Sequence, residues 1–207
     1  MQALILLDFL GVALFAATGA LAASRKQLDI VGFLFFAALT GVGGGTVRDL
    51  ILDVPVFWVN QPLYLMICAA TAVLVYFTAH LLESRYRWLL WLDALALAAY
   101  GVFGAAKGLA VTGSPLVAVA MGMLTGTLGG ILRDVLAGEP SVLLQREVYI
   151  TAAMVGGVAF VLSDTAGLPL AMAAGAGFAA AFAVRAGALA FGWALPVYRP
   201  RPGRDIR

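Results

Sequence analysis

Seven apolar runs follow one another along the chain, at residues 3–23, 30–52, 62–82, 88–107, 115–137, 148–162 and 168–192. About 20 mostly apolar residues carry a helix across the hydrocarbon core of a bilayer. Each run therefore predicts a transmembrane helix, and the sixth is the shortest. The apolar content comes in long runs rather than in the stripe of a surface helix. The connections, at 24–29, 53–61, 83–87, 108–114, 138–147 and 163–167, are short and polar, so no linker separates soluble domains. The pattern predicts an all-α membrane protein built as one membrane domain.

Composition agrees. The 207 residues are 63% hydrophobic and 12% charged, against about 25% charged in a soluble domain. The single cysteine, Cys68, allows no intrachain disulfide. The single histidine, His80, ends an apolar run without a metal-binding neighbour, so no metal site and no cofactor are expected. Walker, GxSxG, HExxH and dinucleotide signatures are absent from the sequence, and an enzyme is not the expectation.

The chain also repeats itself. Gly41-Val-Gly-Gly-Gly-Thr-Val-Arg48-Asp49 recurs as Gly126-Thr-Leu-Gly-Gly-Ile-Leu-Arg133-Asp134, an offset of 85 residues that also relates Asp8 to Asp93, Gly19 to Gly104, Pro55 to Pro140 and Tyr64 to Tyr149. Residues 1–84 form the first copy with three spans, 85–165 the second, and 166–207 hold the unpaired seventh span and a basic tail. Three is odd, so the second copy enters the membrane from the opposite side. An inverted repeat results, with a pseudo-two-fold axis in the membrane plane. The first span matches the fourth and is expected to be retained. Its lack of an initial positive charge and the interrupting Asp8 also argue against a cleaved signal peptide.

Arg25, Lys26, Arg85, Arg87, Arg146 and the arginines of 199–207 fall on one side of this topology, while the other has little beyond Lys107. The basic side is predicted to be cytoplasmic and the N-terminus outside, with Trp88, Trp91, Trp193 and Tyr198 as interfacial anchors. Arg185 is expected to snorkel to the same face, and Lys107 to close the fourth span at the opposite interface.

Depth places the polar groups. Gly41 to Gly45 lie roughly 16–22 Å into the second span, near the bilayer centre, and Asp8 lies about 9 Å into the first, level with Arg48. The inversion sets Asp93 level with Arg133. Two clusters are predicted, Asp8/Arg48/Asp49 and Asp93/Arg133/Asp134. Each ionised group costs roughly 2.5–3.5 kcal/mol at mid-bilayer, so they should face one another or water. Arg48 and Asp49 project about 100° apart and should each find a partner elsewhere. The glycines Gly41, Gly43, Gly44, Gly45, Gly126, Gly129 and Gly130 allow two readings: close packing at GxxxG spacing, or a break in each helix that frees carbonyls for a cation. A break or kink is the expectation.

These residues resemble the trimeric intracellular cation channel family, and more closely its bacterial, glycine-rich inner-membrane branch. The resemblance spans about residues 4–191 and rests on the doubled Gly-Gly-x-x-Arg-Asp motif with its three-plus-three-plus-one arrangement. It implies a homotrimer with one pore per protomer, lined by the first, second, fourth and fifth spans and kinked at the glycines. Monovalent cations, chiefly potassium, would pass transiently. Arg48, Asp49, Arg133 and Asp134 would be its charged pore residues. Asp8 and Asp93 are added from depth alone, and Lys107 is a candidate gate or lipid-headgroup contact. The Lys-Glu-Val run of eukaryotic members has no counterpart before the second glycine-rich span. Membrane lipids and a second copy of the chain are the expected partners, and nucleic acid is not. A secondary transporter of a small solute such as glycine is the alternative, because an arginine fork suits a carboxylate better than potassium. A purely structural role is the third reading, and the intramembrane charges argue against it.

Overall fold

The computed structural model describes residues 2–140 and 148–196. Arg146, Tyr198 and the arginines of 199–207 lie outside the described residues. The described chain is helical: α1 (Gln2–Arg25), α2 (Ile30–Ile51), α3 (Phe57–Asn60), α4 (Leu63–Thr78), α5 (Arg85–Thr112), α6 (Pro115–Leu136), α7 (Ile150–Thr165) and α8 (Leu170–Phe191). All but the short α3 correspond to the seven predicted spans. Six are long and apolar enough to cross a membrane once the 3-10 turn Ala79–Leu81 is added to α4, and α7 is a shorter apolar helix.

The helix ends repeat at the same offset as the motif. Asp29 caps α2 by accepting from Gly32 N at 2.8 Å, and Ser114 caps α6 by accepting from Val117 N at 3.5 Å. A side-chain acceptor there satisfies one of the donors a helix start leaves open. Both helices end alike, with Val54 N bonded to Asp49 O and Glu139 N to Asp134 O. A positive φ follows in each, at Asp53 and Gly138.

Packing crosses the repeat. α1 lies on α5 and α2 on α6, while α4 and α7 flank their own copies. α8 packs on α7 and α5, outside the duplicated core. Large apolar side chains such as Leu116, Leu6, Phe77 and Leu162 point outward, and Asp8, Arg48, Asp49, Asp93, Arg133 and Asp134 of α1, α2, α5 and α6 are buried. Phe33 and Phe36 are buried and Phe35 exposed.

The glycine segments do not break. α2 runs as one α-helix through Gly41–Gly45, and α6 through Gly126–Gly130. The energies explain this correction. A helical glycine costs about 1 kcal/mol relative to alanine, whereas each backbone group left unsatisfied in hydrocarbon costs several. Threonines accompany the segments: Thr40 Oγ1 donates to Phe36 O at 2.6 Å and Thr125 Oγ1 to Met121 O at 2.6 Å.

Candidate functional site

The glycines serve contact. A Cβ on Gly44 would lie 2.6 Å from Thr125 O, and one on Gly129 would lie 2.5 Å from Thr40 O. These two contacts exchange under the repeat, so α2 and α6 meet backbone to backbone at the pseudo-two-fold. Gly41 faces Cys68 Sγ, Gly43 faces Leu132, Gly45 faces the Tyr100 hydroxyl and Phe57, Gly126 faces Leu97 O and Gly101, and Gly130 faces the Tyr149 hydroxyl and Asp93.

The two charge clusters stand at either end of this crossing. In the first, Arg48 Nε donates to Asp49 Oδ1 at 2.7 Å, and Lys107 Nζ donates to the same oxygen at 2.8 Å. The other carboxylate oxygen accepts from Phe57 N at 3.0 Å, presented by the short helix α3. The Arg48 guanidinium lies 5.2 Å from the Phe103 ring centre and 5.6 Å from that of Phe57, within cation–π range. Asp8 accepts a hydrogen bond from the Tyr64 hydroxyl. In the second cluster, Arg133 Nη1 donates to Asp93 Oδ1 at 2.7 Å and Arg133 Nε to Asp134 Oδ1 at 2.9 Å. All six predicted groups are buried.

Four expectations need correction. Arg48 and Asp49 pair with each other, as do Arg133 and Asp134. A long arginine can curl back to its neighbour, and in a buried, low-dielectric site an unmet charge is costly. Asp93 finds Arg133 as expected, but Asp8 takes Tyr64 in place of a bond to Arg48. Lys107 does not close the fourth span: α5 continues to Thr112, and the lysine, whose side chain is 24% exposed, turns inward onto Asp49. Arg185 does not snorkel. It is fully buried, with its guanidinium 5.0 Å from the centre of the Tyr149 ring.

Sequence reasoning passed over Tyr64, Tyr149, Tyr100, Phe57 and Phe103. The repeat-paired tyrosines at 64 and 149 were the available signal, since each brings a hydroxyl beside the carboxylate of its own copy. Arg185 had a signal too. Asp8, Asp49, Asp93 and Asp134 outnumber Arg48, Arg133 and Lys107 by one charge.

The inversion is imperfect in one place. Lys107 matches Ala22 at the repeat offset. Where Lys107 fills the first cluster, Ala22 leaves beside Arg133 and Asp134 a pocket of about 20 Å³, room for about one water. Glu139 stands at its rim, paired with Arg25 at 3.1 Å and Lys26 at 3.4 Å. These pairs are partly solvated, so Glu139→Gln is expected to change stability by less than about 1 kcal/mol, read as a nearly unmoved melting temperature. A large loss would show that the rim holds the helices together.

Similarity to known proteins follows the same outline. A family model described as glycine transporter matches twice, over residues 5–80 and 90–165. The chain is 37% identical over 195 residues to the inner membrane protein YadS of Escherichia coli (strain K12), covering 93% of this chain and 94% of that protein. A trimeric intracellular cation channel orthologue from Rhodobacter sphaeroides superposes with a TM-score of 0.91 at 53% identity, over 93% of this chain and 100% of that one. The chain belongs to the trimeric intracellular cation channel family. A further member, a prokaryotic channel crystallised in 0.5 M KCl, is 25% identical with a TM-score of 0.87, covering 94% of this chain and 99% of that one. This family member is an integral membrane protein, and its paired clusters lie between the four helices α1, α2, α5 and α6.

Proposed function

We propose that the chain is a channel for monovalent cations, chiefly potassium, with one pore in each protomer of a homotrimer. The names carried by its structural relatives support cation permeation. The observation in this chain that carries the reading is the pair of buried charge clusters, one in each copy of the repeat, on helices that meet at the α2/α6 crossing. Arg48 Nη1 and Nη2, Asp8 Oδ1 and the Tyr100 hydroxyl are buried without a hydrogen-bond partner among the described residues. Buried polar atoms of that kind are commonly met by water, which supports hydration beside the first cluster. The pore residues are Asp8, Arg48, Asp49, Asp93, Arg133 and Asp134, with Gly41, Gly43, Gly44, Gly45, Gly126, Gly129 and Gly130 setting the approach of the two helices. No freed carbonyl takes part.

In this reading the described conformation corresponds to a closed channel. The α2 and α6 backbones touch at the centre, and Lys107 holds Asp49 at one mouth. Lys107 acts as the gate of that mouth. Its pair with Asp49 is worth about 1 kcal/mol, so Lys107→Gln is expected to raise the open-to-closed ratio about fivefold. Single-channel recording of reconstituted protein in potassium chloride tests both statements. Wild-type silence removes the channel reading, and an unchanged open probability in the variant removes the gate.

Two copies, at 1–84 and 85–165, and a third segment at 166–207 are supported by the double family match. Placement in a bacterial inner membrane is supported by an inner-membrane relative. An N-terminus outside and a C-terminus in the cytoplasm are supported by Arg25, Lys26, Arg85 and Arg87 at one end. Membrane lipids are the other partners, and relatives that are channels speak for a non-enzymatic role. One observation favours the second reading, transport of a small carboxylate such as glycine: the two terminal nitrogens of Arg48 form an unclaimed fork. Saturable glycine uptake without channel events would decide for it.

A further inference from the structure

Among the described residues, seven aspartate and arginine side chains are buried within the spans: Asp8, Asp49, Asp93, Asp134, Arg48, Arg133 and Arg185. Lys107 on Asp49 is the eighth member. The first cluster thus holds two carboxylates, one arginine and one lysine. The second holds two carboxylates and Arg133, one cation short. Arg185 lies over the ring of Tyr149 at 5.0 Å. The Tyr149 hydroxyl and Asp93 Oδ1 pack together against Gly130. A chain of contacts therefore leads from α8 into the second cluster.

We infer that Arg185 is the second cation of that cluster, the electrostatic counterpart of Lys107, and that it sets how strongly this mouth of the pore attracts cations. The inference rests on the channel reading above. The two cations are unrelated by the repeat: Lys107 matches Ala22, and Arg185 stands on the helix outside the duplication. Each cluster reaches neutrality from a different helix. Neutrality is what a low-dielectric interior demands, because an uncompensated buried charge is strongly unfavourable. The two solutions also differ in kind. Lys107 is partly exposed and held by one carboxylate oxygen, so it can leave. Arg185 is fully buried and stacked on a ring, so its charge stays. One mouth has a removable cation and the other a permanent one. Among the described residues, the remaining charges at the rim of the second mouth are Arg25, Lys26 and Glu139, which are partly solvated and screened by salt.

The test is unitary conductance of reconstituted wild type, Arg185→Gln and Arg185→Lys in about 20 mM and about 1 M potassium chloride. Arg185→Gln leaves the second cluster with an extra negative charge. Its conductance in dilute salt is expected to rise about twofold, the change in local cation concentration that one unit charge causes across roughly 10 Å of water. The gain should shrink in concentrated salt, a dependence that loosened packing would not produce. Arg185→Lys should rescue the wild-type value. An Arg185→Gln channel that matches wild type in dilute salt, or gains equally in both, overturns the proposal. Arg185→Met provides a second neutral variant. If neither neutral variant assembles, the arginine is a structural brace and the proposal fails. Absence of wild-type current would overturn the channel reading itself and this inference with it.

Discussion

Gly129→Ala is expected to prevent normal packing of α2 on α6 and to lower stability by about 3 kcal/mol or more. The added Cβ would sit 2.5 Å from the Thr40 carbonyl oxygen, and that oxygen belongs to a backbone that cannot step aside without moving its helix. Overpacking a tight interior costs about 1–3 kcal/mol, and more when backbone must shift. Alanine is the better helix former by about 1 kcal/mol, so a net loss can arise only from the clash. Gly44→Ala meets the matching contact, 2.6 Å from Thr125 O, and should behave alike. Gly175, with nothing within 4 Å of its added Cβ, supplies the control: Gly175→Ala should be neutral or slightly stabilising. Thermal melting in detergent, with the yield of assembled protein, reads all three. A Gly129→Ala protein that melts with wild type would show that the crossing is looser than the geometry states.

Asp93→Ala is expected to cost about 3–5 kcal/mol, the usual penalty for removing one partner of a buried ion pair. Arg133 would keep Asp134 but lose its 2.7 Å bond to Asp93, leaving a surplus positive charge in a site that water barely enters. Asp8→Ala removes the residue that matches Asp93 in the repeat, yet its effect should be smaller, about 1–3 kcal/mol. Asp8 holds a neutral tyrosine hydroxyl rather than an arginine. The two variants should separate clearly in melting temperature. Equal losses would mean that the clusters are held by the same forces, and that the different pairing of Asp8 and Asp93 has no energetic weight.

That difference shows where sequence reasoning stopped. Depth along a helix is one-dimensional: it set Asp93 level with Arg133, and those two meet, whereas Asp8, set level with Arg48, binds Tyr64. It could not say which side chain would turn toward which. Arg185 failed for the same reason. Its distance from the end of α8 allowed snorkelling, but the direction it faces depends on α7 and Tyr149. Lys107 is misplaced by hydropathy because an apolar run ends at its first charge, whereas the helix continues through it once Asp49 provides a partner. The helices stay unbroken on magnitude: glycine's poor propensity is smaller than the cost of bare backbone in lipid.

The sequence by itself determined the membrane class, the spans, the duplication and its inversion, and which charged and glycine positions form the centre of the molecule. Those follow from transfer energies and from a constant spacing, both of which are properties of a linear chain. Only the tertiary structure decided the partners: Lys107 and Arg48 on Asp49, Arg133 between two aspartates, Arg185 on Tyr149, and glycine against carbonyl at the crossing. Such choices depend on the rotation of one helix against another to within an ångström, and helix rotation is fixed by side chains from four segments at once.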